Sequence, residues 1–249
     1  MAEGKKTYFI SDVHLGHPDS TSSRIREKLL VRFLDEIRHK TETLYLVGDI
    51  FDFWHEWKRV VPKGYTRFMG KIAEFTDAGI PVHFFTGNHD LWIRDYLTAE
   101  TGVILHRQEL ITEIGGKRFY IAHGDGLGPG DMGFKRMKRV FTSRFAQWLF
   151  ARIHPNFSVW VAAKWSGNSR YKLAPEELVF KGEDRERLVI FSKEKLKESH
   201  FDYFIFGHRH IPIIIDLNEK SKFINLGDWI ENMSYVVVDK DGLRLEKYL

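Results

Sequence analysis

Short runs of β-branched and aromatic residues recur along this chain, and most of them lead directly into polar residues. Helical patterns at residues 25–37 and 65–75 separate the first three of these runs. Strands that alternate with helices build layered α/β folds, in which the helices pack on the sheets. The runs lie at residues 8–10, 43–47, 82–85, 118–121, 203–206, 222–224 and 235–238.

Five of these runs are followed by motifs rich in Asp, Asn and His. In open α/β sheets, ligands bind beyond the carboxyl ends of the strands. We therefore expect side chains from distant parts of the sequence to meet at one site. The motifs are Asp12-Val13-His14, Gly48-Asp49-Ile50-Phe51-Asp52, Gly87-Asn88-His89-Asp90, His123-Gly124-Asp125 and Gly207-His208-Arg209-His210.

Seven residues of these motifs are candidate metal ligands. The chain has no cysteine, which excludes thiolate metal sites, disulfides and a cysteine nucleophile. Carboxylate, amide and imidazole donors together suit Mn²⁺, Fe²⁺ or Zn²⁺ and suit Ca²⁺ poorly. Seven ligands exceed one tetrahedral site but fit two ions that share a carboxylate. The candidates are Asp12, His14, Asp49, Asn88, His123, His208 and His210.

A ligand set for two divalent ions predicts an enzyme that hydrolyses a phosphoester or phosphoanhydride. Two such ions, about 3.5–4 Å apart, activate a water and offset charge on the phosphoryl oxygens. His89 follows Asn88, and we expect it to donate a hydrogen bond or a proton to the phosphate or leaving group. Asp90 is predicted to hold His89 in one tautomer, and Asp52 to orient a metal ligand from behind.

The five motifs, in this order, resemble those of the calcineurin-like metallophosphoesterase superfamily. The resemblance implies an α/β fold, a four-layer sandwich of two β-sheets flanked by helices. It implies that one ion is held by Asp12, His14, Asp49 and His210. It also implies that the other ion is held by Asp49, Asn88, His123 and His208.

Within that superfamily, the chain is similar to the UDP-2,3-diacylglucosamine pyrophosphatases of lipid A synthesis. The resemblance covers the opening strand, residues 46–54, residues 79–82 and the motif at 123–125, and it extends to an inserted helical lid with Asn168-Ser169-Arg170. It implies attack at the α-phosphorus of the UDP-linked lipid, often with Mn²⁺. The products would be UMP and 2,3-diacylglucosamine 1-phosphate.

Two positions depart from the best-known members of that group, which carry Arg in place of His89 and Glu in place of Asp52. His89 matches the wider superfamily instead. The alternative function is therefore a metallophosphoesterase that acts on a soluble nucleotide, another phosphodiester or nucleic acid. A third hypothesis is an inactive scaffold of the same fold, and the complete ligand set argues against it.

Residues 126–180 are predicted to form an inserted helical lid over the active site of a single domain that spans residues 1–249. Between residues 131 and 172 there are nine basic residues and one acidic residue, whereas the rest of the chain has four more acidic than basic residues. Apolar residues at helical spacing from Phe134 to Trp148 predict one packed stripe. The predicted substrate-binding residues are Asn168, Ser169, Arg170 and Lys172, of which the last two can pair with phosphate.

The basic and aromatic composition of the predicted lid also indicates which partners the protein binds and where it is located. We expect a nucleotide-linked lipid substrate and an anionic membrane surface as partners. Nucleic acid is not expected, although aromatic residues among arginines can also stack bases. The chain shows no signal-peptide pattern and no apolar run long enough to span a bilayer. A cytoplasmic protein, peripheral on the inner face of the inner membrane, is the prediction.

Overall fold

The computed structural model describes residues 4–130, 132–161 and 179–248. The strands are β1 (Lys6–Ile10), β2 (Thr41–Val47), β3 (Val82–Phe85), β4 (Ile104–His106), β5 (Leu110–Ile114), β6 (Lys117–Ile121), β7 (Tyr203–Phe206), β8 (Ile213–Asp216), β9 (Lys222–Asn225), β10 (Ser234–Asp239) and β11 (Gly242–Lys247). The helices with defined ends are α1 (Ser20–Arg38), α2 (Thr66–Asp77), α3 (Tyr96–Thr101), α4 (Met132–Phe141), α5 (Arg144–Phe150) and α6 (Arg187–Glu198).

The strands form two mixed sheets. The first sheet has the order β11-β10-β1-β2-β3-β4, and the second has the order β5-β6-β7-β9-β8. Strands β1 to β4 are mutually parallel, as are β6, β7 and β9. All seven predicted runs are strands, and the predicted class is confirmed. The four strands that the pattern misses are the four sheet edges, and nearly all of their residues are partly or fully exposed.

The two sheets pack face to face and carry helices on their outer faces. Phe9 of the first sheet stacks on Tyr45 and meets Phe119 of the second sheet, with ring centroids 6.0 Å apart across the interface. Leu30 and Phe33 of α1 and Phe68 of α2 belong to the core on the outer face of the first sheet. Helix α6 joins the core on the outer face of the second sheet. The result is the four-layer sandwich that the resemblance implies.

Local signals account for the ends of the first two helices. Helix α1 begins at Ser20 because the Asp19 carboxylate accepts hydrogen bonds from the backbone N–H groups of Thr21 and Ser22. Helix α2 ends at Asp77, two residues before Gly79, whose φ of 74° continues no right-handed helix.

The described part of the predicted lid is helical, but the prediction of one packed stripe is wrong. The helix breaks between α4 and α5, where the Thr142 hydroxyl donates to Lys138 O and Ser143 adopts an extended backbone. Phe145 and Trp148 are consequently 68% and 51% exposed. Residues 155–161 are also helical. Asn168, Ser169, Arg170 and Lys172 lie outside the described residues.

Candidate metal centre

The ends of five strands, three from the first sheet and two from the second, bring the predicted ligands together. One group contains Asp12, His14 and His210, and another contains Asp49, His123 and His208. His14, Asp49 and His89 form a third group that overlaps both, and the ligand atoms within each group lie within 4.8 Å of one another. The amide oxygen of Asn88 lies 3.4 Å from His123 Nε2. All seven candidate ligands are therefore neighbours, together with His89.

Asp49 lies between the two main groups. Its Oδ2 is 3.3 Å from His123 Nε2 and 3.8 Å from His14 Nε2. Its Oδ1 accepts a hydrogen bond of 2.8 Å from the backbone N–H of His89. One oxygen is thus fixed by the backbone, and the other faces ligands from both groups, as a shared carboxylate requires.

Asp12 is held in the same way. Its Oδ2 accepts a hydrogen bond of 2.9 Å from the backbone N–H of His208. Its Oδ1 lies 3.2 Å from His210 Nε2 and is buried, yet it makes no hydrogen bond of normal geometry in the described part of the chain. A buried carboxylate oxygen without such a partner is costly, and a bound cation would satisfy it.

Two motif glycines allow these carboxylates to come close to the backbone. A Cβ on Gly87 would collide with the Asp49 carboxylate, and a Cβ on Gly207 would collide with Asp12 and with Ser11. Glycine is therefore required at both positions by close approach.

Groups behind the imidazoles orient them toward the centre. His123 Nδ1 lies 2.9 Å from Val47 O, and His14 Nδ1 lies 3.4 Å from Asp52 Oδ1. In each ring the remaining nitrogen, Nε2, faces the carboxylates of the centre. A contact of this kind fixes the tautomer of a metal-binding histidine. Asp52 thus lies where an orienting residue is expected.

The backbone is strained at the centre. Five of the seven candidate ligands have positive φ angles, which are uncommon for residues other than glycine and cost free energy. Such conformations cluster at functional sites, where the surrounding structure enforces them. The five residues and angles are Asp12 (53°), His14 (48°), Asp49 (53°), His208 (69°) and His210 (54°).

The charges of the site favour ionised Asp12 and Asp49 and a neutral His208. Burial alone would raise the pKa of Asp12 and of Asp49, but the surrounding histidines hold both well below the ordinary aspartate value. Burial alone would lower the pKa of His123, but Asp49 raises it well above the ordinary histidine value. Burial, followed by the charge of His123, lowers the pKa of His208 to about 4. Ionised carboxylates and neutral imidazole are the ligand forms that divalent ions require.

The structure corrects the role predicted for Asp90. This buried carboxylate accepts hydrogen bonds from the backbone N–H groups of Ile50, Phe51 and Gly87, and it does not bond to His89. The turn at residues 87–90 directs it under the loop that carries Asp49. The main-chain oxygen of Asp52 contacts His89 Nδ1 instead, at 3.0 Å. Burial, and then the charge of Asp49, raises the pKa of Asp90 to about 7.

Charged residues that the motif analysis does not assign to the site also support it. Arg209, between two candidate ligands, makes a bidentate pair with Glu186. The Glu56 carboxylate accepts three backbone N–H groups at the start of α3. The position of Arg209 inside a ligand motif could have identified it as a site residue. No feature of the sequence marks Glu186, its distant partner.

Comparison with known proteins places these observations in a family. The model of the family described as calcineurin-like phosphoesterase matches residues 5–212. This chain belongs to that family. It is accordingly a metal-dependent hydrolase, which agrees with the Asp and His groups at the strand ends.

Curated relatives from several bacteria carry the printed name UDP-2,3-diacylglucosamine hydrolase. The relative from Porphyromonas gingivalis is 38% identical over 97% of both chains. The relative from Aeromonas salmonicida is 29% identical over 97% of this chain and 92% of its own. Among solved structures, a phosphoesterase from E. coli aligns with a TM-score of 0.48 and 14% identity over 97% of this chain and 92% of that one.

Proposed function

We propose that the protein is a two-metal hydrolase that cleaves the pyrophosphate of UDP-2,3-diacylglucosamine to UMP and 2,3-diacylglucosamine 1-phosphate. The observation that carries the proposal is the relative of that name, which is 38% identical over 97% of both chains. The convergence of the Asp and His groups at the strand ends supports the same chemistry.

The donor set fits two ions. We assign Asp12, His14, Asp49 and His210 to one ion, and Asp49, Asn88, His123 and His208 to the other. Asp49 Oδ2 and the unsatisfied Asp12 Oδ1 support this assignment. Oxygen and imidazole donors suit Mn²⁺, Fe²⁺ or Zn²⁺. We propose Mn²⁺ because the family resemblance implies it. When bound, such ions activate water and offset negative charge on the phosphoryl oxygens.

The protein's own groups position a proton at His89. Because a carbonyl oxygen can only accept, the contact with Asp52 O makes His89 Nδ1 a donor, and we assign the substrate contact to Nε2. The Asp52 carboxylate lies 3.7 Å from the same nitrogen. In its protonated form, His89 would donate a hydrogen bond or a proton from Nε2 to the phosphate or leaving group.

The predicted lid supplies the proposed lipid and membrane contacts. Apolar residues of α5 and of the helical residues 155–161 are exposed, and so are arginines of α4 and α5. This composition favours an anionic lipid surface. We therefore propose that residues 126–180 cover the site, that Asn168, Ser169, Arg170 and Lys172 contact substrate, and that the protein is peripheral on the cytoplasmic face of the inner membrane. In the described part of the chain, no helix is both long enough and apolar enough to cross a bilayer. The exposed apolar residues are Phe145, Trp148, Leu149, Phe157 and Trp160.

The test is release of UMP from the lipid substrate by purified protein with Mn²⁺. We expect turnover by the wild type and none by Asp49→Ala, which should also lose bound Mn²⁺ in calorimetric titration. Asp95→Ala, at an exposed aspartate of a neighbouring loop, is the matched control and should retain both properties. Hydrolysis of a generic phosphodiester without UMP release would favour the soluble-substrate alternative. Hydrolysis that persists in Asp49→Ala would exclude the proposed mechanism.

A further inference from the structure

One face of α4 lies against the metal centre. Phe134 and Lys138 are one helical turn apart on this face, and both approach Gly126, just beyond the His123-Gly124-Asp125 motif. The Phe134 ring centroid is 6.3 Å from that of His208, a candidate metal ligand. The first half of the insertion therefore borders the site through the ligand group of Asp49, His123 and His208.

Lys138 brings a positive charge to this border. Its Nζ lies 2.5 Å from Asp125 Oδ2 and 3.3 Å from Asp125 O. Asp125 is buried and comes two residues after His123. The Lys138 side chain is 34% exposed, so the ammonium group is fixed on one side and reachable from the other.

In the described part of the chain, the other basic residues of α4 form no hydrogen bond or ion pair with a residue of the ligand motifs. Arg136 and Arg139 are exposed, and Lys135 donates to Gly128 O, farther along the loop. Arg209, within another ligand motif, is engaged by both oxygens of Glu186. Among the cations that the structure describes in α4, Lys138 is thus the one held beside a residue of the ligand motifs.

We propose that Lys138 binds the diphosphate of the substrate, with Asp125 as the positioning residue that holds it there. This inference rests on the proposed function, which requires a nucleoside diphosphate group at the centre. A lysine ammonium has three N–H donors, and in the described residues Asp125 accounts for two acceptor contacts. The third N–H remains for a phosphate oxygen. The competing explanation is that Lys138 only neutralises a buried carboxylate.

UDP binding to the Mn²⁺-loaded full-length protein tests this assignment without requiring turnover. In calorimetric titration, Lys138→Met should weaken UDP binding about tenfold or more, because a charge-assisted contact to phosphate is lost. Lys138→Arg should retain most of the affinity. Arg139→Met removes the same charge from the adjacent, exposed position and should leave UDP affinity and Mn²⁺ content unchanged.

A double variant separates substrate binding from charge neutralisation. If Lys138 contacts phosphate, Asp125→Asn combined with Lys138→Met still binds UDP weakly. Recovery of wild-type affinity in the double variant, or unchanged affinity in Lys138→Met, would overturn the inference. With the lipid substrate, Lys138→Met should raise KM more than it lowers kcat. A wild type that binds UDP but releases no UMP would contradict the proposed function and leave the Lys138 assignment supported.

Discussion

Backbone N–H groups of one motif hold the carboxylates of another at the centre of this protein. The His208 N–H holds Asp12, and the His89 N–H holds Asp49. Asp90 in turn binds the N–H groups that follow Asp49. These contacts join motifs from both sheets, so the positions of the ligand oxygens depend on the packing of the whole sandwich.

Replacement of Asp90 tests how much these contacts between carboxylates and backbone N–H groups stabilise the protein. An Asn side chain has one acceptor oxygen for the three backbone donors and turns an NH₂ group toward at least one of them. We expect Asp90→Asn to reduce the free energy of unfolding by about 1–3 kcal/mol, measured by urea denaturation with chelator present. Asp95→Asn, the same change at an exposed position, should alter it by less than about 0.5 kcal/mol. Equal effects of the two variants would contradict the structural role of Asp90.

A histidine pair at the edge of the first sheet makes stability depend on pH. His83 Nδ1 lies 2.8 Å from His106 Nε2, and the His83 ring stacks on Tyr45. Burial, and then the charge of His106, lowers the pKa of His83 to about 4. An unfolded histidine titrates near pH 6.5, so between about pH 6.5 and 4 the unfolded chain binds more protons than the folded protein.

The stabilisation from a neutral His83 is therefore present above about pH 6.5 and declines as the pH falls toward 4. We expect unfolding free energy to drop by about 1–2 kcal/mol from this group between pH 7 and pH 5. His83→Gln should remove that part of the pH dependence in denaturant titrations at the two pH values. His39→Gln, at an exposed histidine, should leave the pH dependence of the unfolding free energy intact. If His39→Gln rather than His83→Gln removes that dependence, its assignment to His83 is wrong.

At the scale of elements, the insertion is attached to the loops that follow two of the candidate ligand motifs. Phe150 of α5 packs against Trp92 and His55, with ring centroids 4.5 and 5.0 Å away. The Trp92 indole N–H also donates to Phe141 O at the end of α4. His55 is wholly buried in this aromatic cluster. The position of the insertion is thus coupled to the positions of the two loops that carry Trp92 and His55.

Phe150→Ala should loosen this attachment. Loss of a packed aromatic side chain at the junction raises the population in which the insertion is detached, and its many basic residues become accessible to trypsin. We expect cleavage within residues 132–161 to be at least about tenfold faster, with cleavage of the sandwich unchanged. Phe145→Ala, at a largely exposed phenylalanine of the same helix, is the control. Similar cleavage rates for both variants would show that Phe150 is not the attachment point.

The elements differ in how well the sequence pattern predicts them. Strands buried on both faces, such as β1 and β2, were predictable because their apolar runs are continuous. The break between α4 and α5 was not, because the apolar spacing continues through Thr142 and Ser143 while the Thr142 hydroxyl donates to a carbonyl of the preceding turn. Exposure of Phe145 and Trp148 follows from that break.

For the whole molecule, the uneven distribution of charge allows a test of the proposed membrane contact. Replacing Arg136, Arg139 and Arg144 together by Gln removes three exposed charges from the insertion. Each basic residue near an anionic surface contributes about 1 kcal/mol, so binding to phosphatidylglycerol vesicles should weaken about a hundredfold in low salt. The difference should shrink as salt is added.

A control variant keeps the same net charge change on the body of the protein. Lys28, Lys40 and Lys63 are exposed outside the insertion, and their replacement by Gln should change vesicle binding little. Cosedimentation of both triple variants measures the difference. If both lose binding equally, net charge rather than the insertion determines membrane association.

The sequence alone determined the chemistry of this protein: donor types, their positions after strands, and the layered arrangement that gathers them are all local patterns. Only the tertiary structure decided which Asp49 oxygen faces both ligand groups, that Asp90 supports a loop rather than His89, and that Lys138 lies beside Asp125. These are contacts between residues far apart in the chain. Their geometry depends on how two sheets, five loops and an insertion pack together, which no local spacing encodes.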